Sequence, residues 1–309
     1  MLSKSLAPEM AATNALILER LEDVGVPLIP QVARHLIEAG GKRIRPLLAL
    51  AAGAITGAPE SGTRLLAAAV EFIHSATLLH DDVVDESRQR RGRPSAPAAF
   101  GNKAAVLVGD ALFARAFEMM VATGSLPALG TLATASATIA RGEVAQLAAL
   151  GHLNTSWAAY VEIIDAKTAA LFAAACKAPA LLAKSPHADA LAAYGRALGL
   201  AFQVADDVLD YEGGLGKEPG DDFREGKVTA PVLLALEGRE DRGFWARALG
   251  NIGALPEALE RLECVGALDA ARARALAYAH EAQGALAPLP TSPLKDALLA
   301  LAPYAAGRG

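Results

Sequence analysis

The sequence predicts an all-α protein, on three observations. Apolar residues recur at helical intervals almost throughout the 309 residues. Runs of strict apolar–polar alternation bounded by turn dipeptides are absent, and Gly/Pro-rich breaks cut the chain into helix-sized lengths. In order, "ATNALILERLEDV" places Leu16, Ile17, Leu21 and Val24 on one face before the break "GVPLIP". In "EAGGKRIRP", Gly40 and Gly41 end one helix and Pro46 suits the first turn of the next. After "TGAPESG", Leu65, Ala69, Phe72 and Ile73 mark a helix expected to run past Asp81 until Gly92 and Pro94 of "RGRPSAP" stop it. "TGSLP", "EGGLGKEPGDD" and "LGNIGALP" punctuate the remainder, giving roughly a dozen helices. There is no Gly/Ser linker, short repeat or long charge block, so residues 1–309 read as one large helical domain.

Hydrophobic residues make up 53% of the chain, more than globular proteins ordinarily carry. Much of the excess is alanine, and the remainder points to a subunit interface or an apolar cavity. The mean hydropathy of +0.28 is compatible with membrane association. Yet no stretch reaches the ~18 uncharged apolar residues of a spanning helix, and the alanine-rich run from Thr168 to Ala183 is broken by Lys177. The start does not read as a signal peptide, and Cys176 and Cys264 have no metal or disulfide-scaffold spacing. These features suggest a soluble, cytoplasmic setting. A net charge of −5 and a pI near 5.7 argue against a general nucleic-acid binder.

The chemistry-bearing residues form two acidic clusters and two basic segments. In "LLHDDVVDES", Asp81 and Asp85 are four apart and share a helix face, while Asp82 is rotated by ~100° and can reach a second ligand or hold its neighbour. A lone DxxxD is ordinarily a solvated face, but this one ends an apolar helix. "AFQVADDVLDYEGG" repeats the pattern with Asp206, Asp207 and Asp210. Two such clusters can face each other across a cavity, and oxygen-only donors suit a hard cation such as Mg²⁺ that is shared with substrate phosphates. Lys42, Arg43 and Arg45 sit on a tight connection beside a helix N-terminus, a natural anion site. Arg88, Arg90, Arg91 and Arg93 follow the first aspartates, and guanidinium forks suit phosphate oxygens. One polyphosphate can thus be gripped by arginine on one side and by carboxylate-bound metal on the other.

The motifs "GGKRIRP", "HSATLLHDDVVDES", "RRGRPS", "FGNKAAVLVGDALFARAFEMM", "DAKTAALF", "FQVADDVLDY" and "GKEPGDDFREGKVTAP" occur in the order typical of trans-isoprenyl diphosphate synthases. The chain resembles that family from about residue 40 to about residue 235, and most of all the octaprenyl, solanesyl and decaprenyl branch that makes quinone (ubiquinone-type) side chains. Ala230 stands where the family often has leucine, and "YAAGRG" is a blander C-terminus than usual. The resemblance implies an all-α bundle around a deep central cavity, a homodimer, Mg²⁺, and two substrates, isopentenyl diphosphate and an allylic diphosphate. It implies peripheral membrane contact for product release and no nucleic-acid partner. Asp81, Asp82, Asp85, Asp206, Asp207 and Asp210 would hold metal on the allylic diphosphate, aided by Arg90. Lys42, Arg45, His74 and Arg91 would bind isopentenyl diphosphate, and Lys167, Thr168, Gln203, Lys217 and Lys227 would ring the departing group. Ala76 and Thr77, just before the first aspartates, would gate chain length. Phe113, Phe117, Met119 and Met120 read as core residues, some of which line the tunnel; His80 and Glu86 receive no role.

The expected reaction is head-to-tail condensation to a long-chain all-trans polyprenyl diphosphate. A shorter-chain farnesyl or geranylgeranyl synthase, and a non-catalytic subunit of a heteromeric synthase, are the alternatives. Two intact acidic clusters count against the second. A terpene cyclase would not need the Lys42, Arg45 and Arg91 pocket.

Overall fold

A computed structural model describes residues 2–22, 25–213, 219–237 and 241–307, so Val24 and Lys217 lie outside the described residues. Its principal elements are α1 (Ala7–Glu22), α2 (Leu28–Glu38), α3 (Ile44–Thr56), α4 (Glu60–Val84), β1 (Gln89–Arg90), β2 (Arg93–Pro94), α5 (Asn102–Ala122) and α6 (Leu126–Ala148). There follow α7 (Trp157–Ile164), α8 (Ala170–Leu182), α9 (Ala188–Glu212), α10 (Asp221–Arg224), α11 (Ala230–Glu237), α12 (Leu255–Cys264), α13 (Ala267–Ala285) and α14 (Pro293–Ala306). The all-α expectation holds, with one exception. The helix carrying Asp81 ends at Val84 rather than at Gly92, and the arginines beyond it form a two-stranded antiparallel hairpin. Among the described residues no helix is long and apolar enough to cross a membrane.

The chain divides into two compact units. The first comprises Met1–Ser136, Leu171–Ala192 and Pro288–Ala297. Its spine is α4, which packs on α5, α3 and α1. Leu66, Ala69, Phe72, Ile73, Ala76 and Leu79 repeat at helical spacing along α4 and are fully buried, so this stripe drives the assembly. Where α4 crosses α5 the approach is very close. A Cβ on Gly109 would stand 2.3 Å from His80 Nε2.

The second unit comprises Ala137–Ala170, Ala193–Ala287 and Leu298–Gly309. Tyr211, Phe223, Val232, Trp245 and Leu262 belong to its aromatic-rich core. Here the alanine surplus finds its use: Ala267, Ala271, Ala275, Ala279 and Ala282 form a buried stripe on α13, which packs on α11. Small side chains let such helices approach closely while helix propensity stays high. Between α7 and α8 the chain takes a single π-turn, Asp165–Ala169. Such turns shift the facing of the residues they carry and recur at functional sites.

Candidate active site

In the first unit, the open face of α4 is a stripe of partly buried residues: His74, Thr77, Leu78, Asp81 and Asp85. Asp85 caps the helix, its N–H donating to Asp81 O at 2.8 Å. Asp82, by contrast, is fully buried. Its Oδ1 accepts from Arg90 Nε at 2.8 Å and Nη2 at 2.7 Å, and its buried Oδ2 has no hydrogen-bond partner. Ala76 is fully buried, so it is Thr77 that shares the open stripe with Asp81. Phe117 is partly exposed, whereas Met119 and Met120 are core residues. His80 is a fastener: its Nε2 lies 3.2 Å from Val106 O and 3.4 Å from Asp110 Oδ1.

The hairpin pairs Gln89 with Pro94 and Arg90 with Arg93. Its turn residues, Arg91 (φ 53°) and Gly92 (φ 74°), are both left-handed, as a two-residue type I′ turn requires. The far strand is tied down from α2, where His35 Nε2 donates to Pro94 O at 2.7 Å and the ring meets Phe100 edge-on. At the tip, a Cβ on Gly41 would lie 2.9 Å from Arg91 Nη1, so the guanidinium lies directly against Gly41. The hairpin and the basic loop before α3 therefore meet. In that loop Lys42 is exposed, and Arg43 Nη1 turns inward to Glu71 Oε1 at 2.8 Å. Arg45 Nη1 donates to His74 Nε2 at 3.2 Å, and its guanidinium stacks 4.5 Å above Phe172. His74 keeps some open surface, but the dense protein around it, then the positive charges of Arg45, Arg91, Arg90 and Arg43, hold its pKa well below the usual value. It is a neutral acceptor here.

In the second unit the π-turn presents Lys167 and Thr168 in succession. Lys167 Nζ binds Glu143 Oε2 at 2.8 Å and Gln146 Oε1 at 2.7 Å. Thr168 Oγ1 donates to Gln203 Oε1 at 2.7 Å, and Gln203 Nε2 donates to Asp207 Oδ1 at 2.9 Å. Asp207 also accepts from Tyr160 OH at 2.6 Å and from Ala230 N at 3.2 Å. Burial, offset only in part by these donors, lifts its pKa to about 6. Asp210 takes the N–H groups of Asp221 and Asp222 at 3.2 and 3.0 Å, fastening α10. Asp206 alone of this cluster is exposed. A small cavity of about 50 Å³ opens among Gln146, Tyr160, Lys167, Gln203, Asp207, Asp222, Lys227 and Thr229. Lys227 pairs with Glu225, and burial, reinforced by Asp210 and Asp207, raises the Asp222 pKa well above the carboxylate range.

Within each unit the structure therefore gathers the residues singled out from sequence: Lys42, Arg45, His74, Arg90 and Arg91 in one, Lys167, Thr168, Gln203, Asp207 and Lys227 in the other. Sequence reasoning missed Glu71, Glu143, Gln146, Tyr160 and Asp222. Of these only Asp222 had a cue, its place in "GDDF". Among the described residues no three His, Cys, Asp or Glu side chains converge as a ready-made metal cage. The donor chemistry still fits a hard divalent ion. Asp81 and Asp85 are partly open, Asp206 is exposed, and all offer carboxylate oxygen.

A model of the polyprenyl synthetase family matches residues 26–262, a wider span than the motifs alone cover. The chain belongs to the polyprenyl synthetase family. This polyprenyl synthetase is 44% identical over 312 residues to the octaprenyl diphosphate synthase of Escherichia coli (strain K12), covering 98% of this chain and 96% of that one. It superimposes with a TM-score of 0.94 on a decaprenyl diphosphate synthase from Rhodobacter capsulatus, 49% identical, with 99% and 98% of the chains covered. A polyprenyl synthase from Caulobacter crescentus CB15, solved with calcium and isoprenyl diphosphate, gives a TM-score of 0.95 at 50% identity, with 99% and 97% covered. Each covers nearly all of both chains, so the polyprenyl synthetase is an enzyme of prenyl transfer with the all-α isoprenoid synthase fold.

Proposed function

We propose that the 309 residues act as one Mg²⁺-dependent synthase that condenses isopentenyl diphosphate onto an allylic diphosphate, yielding a long-chain all-trans polyprenyl diphosphate suited to a quinone tail. One observation carries the reading. α4 ends in Asp81 and Asp85, and the arginine hairpin and basic loop of the same unit meet through Arg91 and Gly41. Carboxylate for a metal and guanidinium for phosphate oxygens thus stand in one unit. The named relatives, octaprenyl and decaprenyl synthases, support the long product.

Asp81, Asp85 and Asp206 would hold Mg²⁺. Asp82 and Asp207, which are buried, and Asp210, which accepts the Asp221 and Asp222 N–H groups, would set the geometry around them. Metal bound there supplies charge neutralisation to the departing diphosphate. Lys42, Arg45 and Arg91 hold isopentenyl diphosphate, with neutral His74 aiming Arg45. Arg90, anchored by Asp82, would face the allylic diphosphate, and Lys167, Thr168, Gln203 and Lys227 would serve the leaving group, a role that the family resemblance also gives to Lys217. As the allylic C–O bond breaks, preorganised cations stabilise the negative charge that develops. The double bond of isopentenyl diphosphate then forms the new C–C bond, and the proton it loses passes to the released diphosphate. Thr77, small and on the open stripe, leaves room for a long tail, and Ala76 keeps the packed face behind it free of bulk. Leu107 (66% exposed), Val121 (63%) and Leu126 (78%) are large apolar side chains left open to solvent, which supports burial of this part of the chain in a homodimer. Product release from such a dimer would involve peripheral membrane contact.

The test is direct. Purified protein with Mg²⁺, an allylic primer and labelled isopentenyl diphosphate should give polyprenyl products of octaprenyl to decaprenyl length. Products stopping at farnesyl or geranylgeranyl length would support the shorter-chain alternative, and no turnover would reject the reading.

A further inference from the structure

The basic loop poses a problem that the substrate contacts do not solve. Lys42, Arg43 and Arg45 lie within four positions of one another, Arg91 lies against the same backbone, and without an anion they repel. Arg43 also has a left-handed backbone (φ 48°, ψ 37°), unfavourable for any residue with a Cβ. Something must hold it there. Arg43 does not face solvent as Lys42 does: its side chain is 20% exposed and reaches inward to Glu71, whose side chain is 9% exposed on α4. Arg43 Nη2 also donates to Ile37 O at 3.4 Å, near the end of α2. One guanidinium thus ties α2 and α4 together through the loop. Three residues on from Glu71, His74 accepts from Arg45. Consecutive turns of α4 therefore hold the two arginines on either side of Ile44.

We propose that Glu71 is a positioning residue for the isopentenyl diphosphate pocket: through Arg43 it fixes the left-handed turn that presents Lys42 and Arg45. The inference rests on the substrate assignment above. The arrangement also supplies its own sign test. As a bare negative charge near an anion site, Glu71 would repel diphosphate, and its neutralisation would tighten binding. As the holder of the loop, its loss lets Arg43 leave the left-handed region and weakens binding.

The experiment uses the full chain, Mg²⁺ and a saturating allylic primer, with isopentenyl diphosphate varied. Glu71→Gln should raise KM for isopentenyl diphosphate about tenfold, the order of one charge-assisted contact. The kcat should stay within about threefold, with KM for the primer unchanged. The double variant Glu71→Gln/Arg43→Gln should lose no more than Glu71→Gln alone, because the two act as one unit. An unchanged or lowered KM for isopentenyl diphosphate overturns the proposal, as do parallel losses in kcat and both KM values. Should Glu71→Gln not fold, Arg43→Lys decides. It keeps the charge but loses the second N–H to Ile37 O, and should raise the same KM while sparing the primer's; equal KM values overturn the proposal. Wild-type protein that fails to condense isopentenyl diphosphate at all would instead reject the functional reading beneath it.

Discussion

At the residue scale, the six clustered aspartates differ in burial. Asp81, Asp85 and Asp206 keep accessible surface, whereas Asp82 is buried against Arg90 and Asp207 accepts three donors. Asp81→Ala or Asp206→Ala should therefore cut kcat by orders of magnitude and leave the melting temperature unchanged or raised, since like charges are relieved. Asp82→Asn should also unfold more easily, by about 3 kcal/mol in denaturant titration, because Arg90 loses its partner. Equal stability of the Asp81 and Asp82 variants would contradict the division. His74 gives a pH signature. Its folded pKa is depressed below the ordinary 6.5, so below that pH the unfolded chain takes up a proton the native state refuses. Stability contributed by neutral His74 is thus present above pH 6.5 and lost as pH falls through it. Denaturation at about pH 7.5 and 5.5 should show a smaller acid loss in His74→Gln than in wild type.

At the scale of elements, the hairpin and α4 carry the site. Arg91 combines an unfavourable backbone with a functional side chain. Arg91→Gly should hold or raise the melting temperature while raising KM for isopentenyl diphosphate tenfold or more; a drop in both stability and affinity would mean the side chain's role is packing. Along α4, Thr77 lies on the open stripe and Ala76 in the packed face. Thr77→Phe should shorten the main product with little loss of stability. Ala76→Tyr should shorten it too, but at about 1–3 kcal/mol of overpacking. Wild-type product lengths from both variants would move the floor of the tail site elsewhere. The helices were legible because 3.6-residue periodicity and Gly/Pro breaks report burial directly. The hairpin was not: two-residue strands are too short to show alternation, and Arg-Gly is a weaker turn signal than Asn-Gly. The π-turn was equally hidden, since "DAKTA" reads as ordinary helix. Glu71 escaped because a single acid in an apolar helix carries no pattern until its arginine is seen.

At the scale of the whole molecule, composition foretold more than it could place. The alanine surplus divides between buried stripes such as that of α13 and ordinary core, while the larger exposed side chains, Leu107 and Leu126, lie on the surface proposed for dimerisation. Leu107→Glu should lower the mass seen by light scattering from two chains to one, and an unchanged mass would remove this surface from the interface. The aspartate and arginine motifs were readable because their chemistry is concentrated in short stretches. The ties of Glu143 and Gln146 to Lys167 join α6 to the π-turn beyond the next helix and could not be read. The two left-handed arginines have a consequence of their own. Glu71 holds Arg43, whereas Arg91 keeps its guanidinium beside Gly41 of the basic loop, and a bound anion relieves the repulsion among Arg91, Lys42 and Arg45. Heat resistance then becomes a gauge of site occupancy. Inorganic diphosphate with Mg²⁺ at a hundred times its Kd should add about 2.7 kcal/mol and raise the melting temperature by several degrees. With Arg91→Gly the same addition should raise it by much less, so calorimetry can read the pocket without any turnover.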